Sequence, residues 1–149
     1  MSLKTNITRV TQVNIGEGVG YDYTFRAERV SRIATLPIGY ADGLPRCLSN
    51  QGYVSVQGKP AKIVGLMCMD QCMIDITQID PLPEIEDEVV LLGRQKDMEI
   101  GAKHLAKLMG PTANDLEVVC GLSKRLPRVY IWHGRPVAIY DMTGLHPLD

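Results

Sequence analysis

The chain has 149 residues, of which 45% are hydrophobic, and its formal net charge is −1. A chain of this length can bury a hydrophobic core without metal or disulfide cross-links, and its near-neutral charge makes nucleic acid or an anionic membrane a poor candidate partner. No apolar stretch approaches the ~20 residues of a membrane helix, so we expect a soluble, cytoplasmic domain without membrane contact.

The first two thirds of the chain predict short β-strands separated by glycine, proline and acidic residues. The predicted strands are residues 9–15, 21–25, 31–36, 53–56, 62–66, 72–76 and 88–92. Their close spacing favours antiparallel pairing over βαβ units. We therefore predict a mainly β fold, a closed or partly open antiparallel barrel of Greek-key type.

A tyrosine stands between glycines directly after the predicted strand 31–36. Tyr40 follows Gly39 and precedes the Asp42-Gly43 pair, and both glycine and Asp-Gly favour tight turns. We expect Tyr40 at a strand end on a bent segment, where a side chain can be aimed into a cleft. The alternative is that its ring only covers a sheet edge while its hydroxyl contacts water.

Two short helices are predicted in the last third of the chain. Apolar residues recur near the helical period in residues 100–109, and Gly110-Pro111 ends that helix. Thr112 with Asp115 resembles a capping signal for a second helix ending near Gly121. Strands 128–132 and 135–140 are predicted to pair as a hairpin. Without a repeat or linker, residues 1–149 are expected to form one domain.

The four cysteines give no pattern of a metal site. Cys47, Cys68, Cys72 and Cys120 form no Cys-x-x-Cys pair, and the histidines are distant in sequence. We expect reduced, mostly buried thiols and no bound metal. A disulfide between Cys68 and Cys72 is disfavoured if both lie in one extended segment, because their Cα atoms would be too far apart.

Three motifs occur along the chain in a specific order and spacing. They are Gly-Tyr-Ala-Asp-Gly at residues 39–43 with Leu-Pro-Arg after it, Met-Asp-Gln at 69–71 within a hydrophobic run, and Arg-Leu-Pro-Arg at 125–128. Val-Gly-Tyr at 19–21 and Gly-Tyr-Val at 52–54 accompany them. From about Lys4 to the region of His133, the chain resembles the C-terminal domain of alanine racemases.

The resemblance implies an enzyme of which this chain is one part. Such enzymes carry pyridoxal 5′-phosphate on a lysine of an N-terminal (β/α)8 barrel, and the β domain packs against the barrel of the second subunit of a homodimer. A lysine and a tyrosine on opposite faces of a small amino-acid substrate remove and replace its α-proton. No lysine here has the surrounding sequence of the barrel motif, so the barrel is expected outside residues 1–149. The isolated chain is expected to be inactive and to bind no cofactor productively.

The resemblance also implies which residues form the site, because each can be assigned by its position in a matching motif. Tyr40 is implied as the tyrosine base, acting across the dimer interface. Tyr53 would line the active-site entrance, and the Met69 amide with Asp70 beside it would help to position the substrate carboxylate. Lys124 stands where some members have a tyrosine that reaches the cofactor phosphate. A lysine there either contacts phosphate as a point charge or lies in solvent.

Several functions remain open at this level. The first is part of an alanine racemase that interconverts L- and D-alanine for cell-wall synthesis. A related reading is the same domain of a serine or serine/alanine racemase whose parent is attached to a membrane through other domains. A freestanding β-barrel binding module for oligonucleotides or sugars is disfavoured by the 5% aromatic content and the absence of excess positive charge. A purely structural domain would leave Tyr40 without chemistry.

Overall fold

The computed structural model describes residues 1–148, which contain short β-strands and two α-helices. The strands are β1 (Leu3–Asn6), β2 (Arg9–Val13), β3 (Gly18–Val19), β4 (Phe25–Arg26), β5 (Ser31–Leu36), β6 (Tyr53–Val56), β7 (Lys59–Val64), β8 (Cys72–Asp75), β9 (Glu88–Gln95), β10 (Met98–Ile100), β11 (Arg128–Trp132), β12 (Arg135–Asp141) and β13 (Gly144–Pro147). The helices are α1 (Ala102–Met109) and α2 (Asp115–Cys120), and single 3-10 turns span Tyr40–Asp42 and Arg46–Leu48. The chain is therefore mainly β, with both α-helices in its last third, as predicted.

One large antiparallel sheet has the strand order β1-β9-β6-β7-β8-β5-β2, and β10 pairs with β9. Within it, β6, β7 and β8 are consecutive antiparallel neighbours, and β5 lies beside β8, which is a Greek-key arrangement. The edge strands β1 and β2 are separated in sequence only by Ile7 and Thr8. Because these edges belong to one short stretch of chain, the sheet must curve so that its two edges come close to each other.

The junction between the two edges is held by backbone hydrogen bonds. The Ile7 amide donates to the Asp87 carbonyl at 3.0 Å, and the Thr8 amide donates to the Thr35 carbonyl at 3.0 Å. Within residues 1–148, β1 and β2 do not pair with each other, so strand pairing leaves the sheet open. The sheet is therefore not the closed form of the predicted barrel. The predicted antiparallel strand pairing of Greek-key type is confirmed.

The hydrophobic core lies on the large sheet. Alternating residues of β8 are buried, as expected for a strand with one face in a core. Leu36, Ile63 and Ile74 are among the fully buried side chains of one continuous cluster. Leu105 of α1 and Val118 of α2 belong to the same cluster, so both helices pack on this core. Neither helix is long and apolar enough to cross a membrane.

A separate three-stranded sheet has the order β11-β12-β13. All five residues of β11 are exposed, and no residue between positions 119 and 148 is buried. This terminal sheet therefore contributes nothing to the buried core of the large sheet.

Several element boundaries differ from the predictions. The strand predicted at 21–25 is wrong, because Asp22 and Tyr23 have positive φ angles and form the turn between β3 and β4. Strand β7 begins at Lys59 and ends before Gly65, whose φ is 75°. The side chain of Asn114, rather than Thr112, caps α2 by accepting a hydrogen bond from the Glu117 amide at 3.0 Å.

All four cysteines are free thiols, as predicted, but the prediction that they are mostly buried is wrong. Cys72 is buried, Cys68 is half-buried, and Cys47 and Cys120 are exposed. Burial raises the pKa of the Cys72 thiol to about 12, with a further contribution from nearby Cys68 and Asp42. Cys72 therefore remains protonated at neutral pH.

Candidate functional site

Tyr40 opens a single 3-10 turn shortly after β5, which is the bent strand end that the sequence predicts. The turn is tied at its start by the Gly39 amide, which donates to Asp42 Oδ2 at 2.9 Å. At its end the Gly43 amide donates to the Tyr40 carbonyl at 3.1 Å. The Tyr40 side chain is not part of the core, and the residue is 41% exposed.

The Tyr40 turn is hydrogen-bonded directly to the segment that carries Met69. The Tyr40 amide donates to the Cys68 carbonyl at 3.2 Å, and the Ala41 amide donates to the Met69 carbonyl at 3.0 Å. A Cβ atom on Gly39 would lie 2.3 Å from the Cys68 carbonyl oxygen, so only glycine permits this approach. Two of the predicted site segments, about thirty residues apart in sequence, are therefore neighbours in space.

Met69 is well placed to offer its backbone amide to a ligand. The residue is 54% exposed. Within residues 1–148, its carbonyl is used by Ala41, whereas no hydrogen bond from its amide is found. An exposed amide without a protein acceptor can donate to a carboxylate.

Asp42 and Asp70 are joined by one arginine from a third part of the chain. The Arg125 Nε donates to Asp42 Oδ1 at 2.7 Å, and Arg125 Nη2 donates to Asp70 Oδ1. Asp42 is buried, whereas Asp70 is exposed. These hydrogen bonds, first that to Asp42 and then that to Asp70, raise the pKa of the Arg125 guanidinium. One oxygen of the Asp70 carboxylate is thus paired with the Arg125 guanidinium.

The segment before Arg125 is fixed against the same turn. The Ser123 amide donates to the Asp42 carbonyl at 2.9 Å. Gly43 has a φ of 93°, and a Cβ atom there would lie 2.0 Å from the Gly121 carbonyl oxygen. The end of α2 and the Tyr40 turn therefore pack backbone against backbone.

Tyr53 and Lys124 lie in different surroundings. Tyr53 begins β6 and is half-buried, and its ring centroid lies 4.8 Å from that of His104 on α1. Lys124 is exposed and directly precedes Arg125. Arg46 lies over the Tyr40 ring, with its guanidinium carbon 5.9 Å from the ring centroid.

Three neighbours of the site were not assigned by sequence reasoning. Arg46 and Arg125 stand inside the quoted motifs, but the sequence does not tell which group an arginine contacts. His104 is separated from Tyr53 by fifty-one positions and lies on a helix whose packing the periodicity does not specify. Of these three residues, only the two arginines could have been identified from the sequence, because they stand inside the motifs.

The site is an open surface and not a cavity enclosed by this chain. A surface cavity of about 400 Å³ is lined by residues that include Arg29, Lys59 and Asp75, but by neither Tyr40 nor Met69. Within residues 1–148, no three or more His, Cys, Asp or Glu side chains gather as a metal ion would need.

Comparisons with known proteins agree with the motifs. A family model described as "Alanine racemase, C-terminal domain" matches residues 1–130. The chain is 48% identical over 139 residues to "Alanine racemase 1" of Clostridium acetobutylicum, covering 93% of the chain and 35% of that protein. It is 49% identical over 130 residues to the alanine racemase of Halothermothrix orenii, covering 87% of the chain and 34% of that protein.

Solved structures resemble the chain over most of its length. The alanine racemase of Bacillus anthracis with bound L-Ala-P has a TM-score of 0.87 and 35% identity, covering 95% of this chain and 35% of that one. The alanine racemase of Bartonella henselae with covalently bound pyridoxal phosphate has a TM-score of 0.81 and 33% identity, covering 87% of this chain and 34% of that one. The chain thus spans about a third of the length of the proteins it matches.

Proposed function

Because this chain belongs to the alanine racemase C-terminal domain family, we propose that it completes the active site of a pyridoxal-phosphate-dependent alanine racemase. In this proposal residues 1–149 form one domain of a cytoplasmic homodimer that interconverts L- and D-alanine. The lysine-bearing barrel lies in another part of the protein, and the present chain alone is inactive. The adjacency of the Tyr40 turn and the Met69 segment carries the proposal.

Tyr40 acts as one of the two general bases, taking the α-proton of one alanine enantiomer at its phenolic oxygen. A phenol is a weak base unless a cation or a hydrogen-bond donor favours its ionised form. Within this chain, the guanidinium carbon of Arg46 lies 5.9 Å from the Tyr40 ring centroid and makes a cation–π contact with the ring. The exposed position of the ring suits a base that serves a substrate bound by the second subunit.

Met69 and Asp70 position the substrate rather than transfer protons. The amide of Met69, which has no acceptor among the described residues, donates to the substrate carboxylate, and Asp70 keeps this segment in place through Arg125. Holding the carboxylate by an amide beside Tyr40 directs the α-carbon towards the phenol, which raises the effective concentration of the reacting groups. Tyr53 lines the entrance, where its tilted contact with the His104 ring restricts the Tyr53 ring.

The residues of this chain fit only the rim of a cofactor site. Lys124 is exposed beside the Tyr40 turn and can contact a phosphate group as a point charge. When bound, pyridoxal phosphate supplies an electron sink for the carbon that loses its proton. The other contacts of the cofactor would come from the barrel.

A chimera tests the proposed function. This chain would replace the matching third of alanine racemase 1 of Clostridium acetobutylicum, with which it shares 48% identity over 139 residues. Exchange of the alanine α-hydrogen is followed by NMR in deuterated water for each enantiomer. The chimera should be active, and Tyr40→Phe should slow exchange of one enantiomer by about 10²- to 10⁴-fold, the range for loss of a general base.

The matched control is Tyr130→Phe, which removes the hydroxyl of another exposed tyrosine on β11. This variant should keep the activity of the unmodified chimera. Full exchange of both enantiomers by the Tyr40→Phe chimera would refute the role of Tyr40. The chain alone, mixed with pyridoxal phosphate, should show no exchange, and robust exchange would refute the division of the active site.

A further inference from the structure

Arg125 holds a carboxylate that also forms part of the Tyr40 turn. Asp42 Oδ2 accepts the Gly39 amide at 2.9 Å, and Asp42 Oδ1 accepts Arg125 Nε at 2.7 Å. Asp42 is only 6% exposed. One buried carboxylate therefore links the start of the Tyr40 turn to a side chain 83 positions later in the chain.

The same guanidinium reaches the segment that carries Met69. Arg125 Nη2 donates to Asp70, which directly follows Met69 in sequence. The two segments are also joined by the Ala41 amide and the Met69 carbonyl at 3.0 Å. Arg125 thus closes a ring of contacts around the two segments that the proposed function uses.

Arg125 is itself held in place by the backbone around it. The Ser123 amide donates to the Asp42 carbonyl at 2.9 Å, and the Arg125 amide donates to Ser123 Oγ at 3.3 Å. A guanidinium presents Nε and Nη2 donors in a rigid planar fork, which a lysine ammonium cannot reproduce. The geometry therefore requires arginine and not merely a positive charge.

We propose that Arg125 is a positioning residue that sets the separation of the Tyr40 phenol and the Met69 amide by clamping Asp42 to Asp70. This inference rests on the proposed function, because it depends on the roles proposed for Tyr40 and Met69. It assigns Arg125 no contact with the reacting atoms. Its effect on the reaction passes through the two segments that it joins. A displacement of about 1 Å between reacting groups can cost about 10²-fold in rate.

The test is Arg125→Lys in the active chimera, with Arg94→Lys as the matched control. Arg94 forms an exposed ion pair with Glu99 at 2.7 Å and lies in β9. We expect Arg125→Lys to lower kcat by about 10- to 100-fold and to raise KM for alanine, since both segments lose their common partner. The control should keep both constants within about twofold, as expected for an exposed ion pair.

Substrate isotope effects separate positioning from a general loss of structure. The rates of α-deuterated and ordinary alanine are compared for each enantiomer. In Arg125→Lys, the isotope effect should rise for the enantiomer whose α-hydrogen Tyr40 accepts and should not rise for the other. A variant that merely unfolds in part would lose activity towards both enantiomers with unchanged isotope effects, which would overturn the proposal.

Asp70→Asn provides a second variant in case Arg125→Lys does not fold. Asp70 is exposed, so this change breaks the outer half of the bridge and leaves buried Asp42 paired. KM should rise several-fold while kcat falls less, and unchanged KM would contradict the proposal. If Tyr40→Phe retains exchange, the proposed function fails. If Tyr40→Phe slows exchange of one enantiomer as expected but Arg125→Lys behaves like the parent chimera, only the positioning role fails.

Discussion

The large sheet and the terminal sheet are built from similar apolar strands, but only the large sheet has a core. Ile74 in β8 is fully buried, whereas Ile131 in β11 is 66% exposed. Trp132, which follows Ile131, is 68% exposed. The same residue type thus contributes to the core in one region and faces outward in the other.

This difference shows that an apolar strand in a sequence indicates burial without identifying the partner that buries it. Contiguous exposed apolar surface is typical of a surface that another polypeptide covers. The chain also spans only about a third of the length of its relatives. We expect the two regions to differ in energy as they do in exposure.

The largest expected effect comes from truncating a buried isoleucine. Ile74→Ala should lower the free energy of unfolding by about 2–5 kcal/mol, because it removes buried methyl groups and leaves a cavity. Ile131→Ala in the terminal sheet should change it by less than about 0.5 kcal/mol. Urea unfolding followed by circular dichroism measures both. If Ile74→Ala does not fold, Ile74→Val should cost about 0.5–1.5 kcal/mol. Equal losses at positions 74 and 131 would contradict the comparison.

The next effect is expected where the Tyr40 turn meets the end of α2. Gly43→Ser should destabilise the chain by about 1–2 kcal/mol through its φ of 93°, and by about 1–3 kcal/mol more through collision with the Gly121 carbonyl. The matched control is Gly101→Ser, where no atom lies within 4 Å of the added Cβ. Serine is also a favoured residue before a helix, so the control should stay within about 0.5 kcal/mol. Similar unfolding midpoints for both variants would argue against the close contact.

A smaller difference is expected in the reactivity of the cysteines towards alkylation. The Cys72 pKa of about 12 leaves very little thiolate at pH 8, whereas Cys47 and Cys120 are exposed. A short pulse of iodoacetamide followed by peptide mass spectrometry should label Cys47 and Cys120 in the folded chain. Cys72 should be labelled only after denaturation. Rapid native labelling of Cys72 would show that the large sheet opens far more readily than its burial indicates.

The smallest effect is expected at Asp141 in the terminal sheet. Hydrogen bonds from the Thr143 hydroxyl and amide, with a smaller contribution from His146, lower the pKa of Asp141 to about 2. Because the folded-state pKa is depressed, the stabilisation is present above the unfolded value of about 3.9 and is lost as the pH falls towards 2. Thr143→Val should raise this pKa towards its ordinary value, as measured by NMR titration of the carboxyl carbon. An unchanged pKa would mean that this turn is not ordered in solution.

The sequence predicted the strands of the large sheet well where local signals and burial agree. The strands Ser31–Leu36 and Tyr53–Val56 have the predicted bounds, since both are apolar runs bounded by turn-forming residues. The strand predicted at 21–25 failed because Asp22 and Tyr23 adopt positive φ angles, a conformation that is enriched for Asp among non-glycine residues but not for Tyr. The short strand Leu3–Asn6 was missed because it depends on pairing with β9, which no local pattern reveals.

The candidate site was predictable as motifs but not as contacts. The bend at Tyr40 follows from its flanking glycines, and the structure brings this bend beside Met69. The pairing of Arg125 with both Asp42 and Asp70 involves separations of 83 and 55 residues. Such long-range pairings depend on the curvature of the sheet, which a linear pattern does not contain. The catalytic roles of Tyr40, Tyr53, Met69, Asp70 and Lys124 stay predictions.

Only Ile7 and Thr8 separate β1 from β2, so one short stretch of chain supplies both edge strands of the large sheet. If the stretch from β1 to β2 were detached from the sheet, β5 and β9 would each lose a partner at the same time. Unpaired strand edges are templates for pairing between molecules and hence for aggregation. Detachment of this one stretch would therefore expose the edges of β5 and β9 at the same time, in place of the present edge strands β1 and β2.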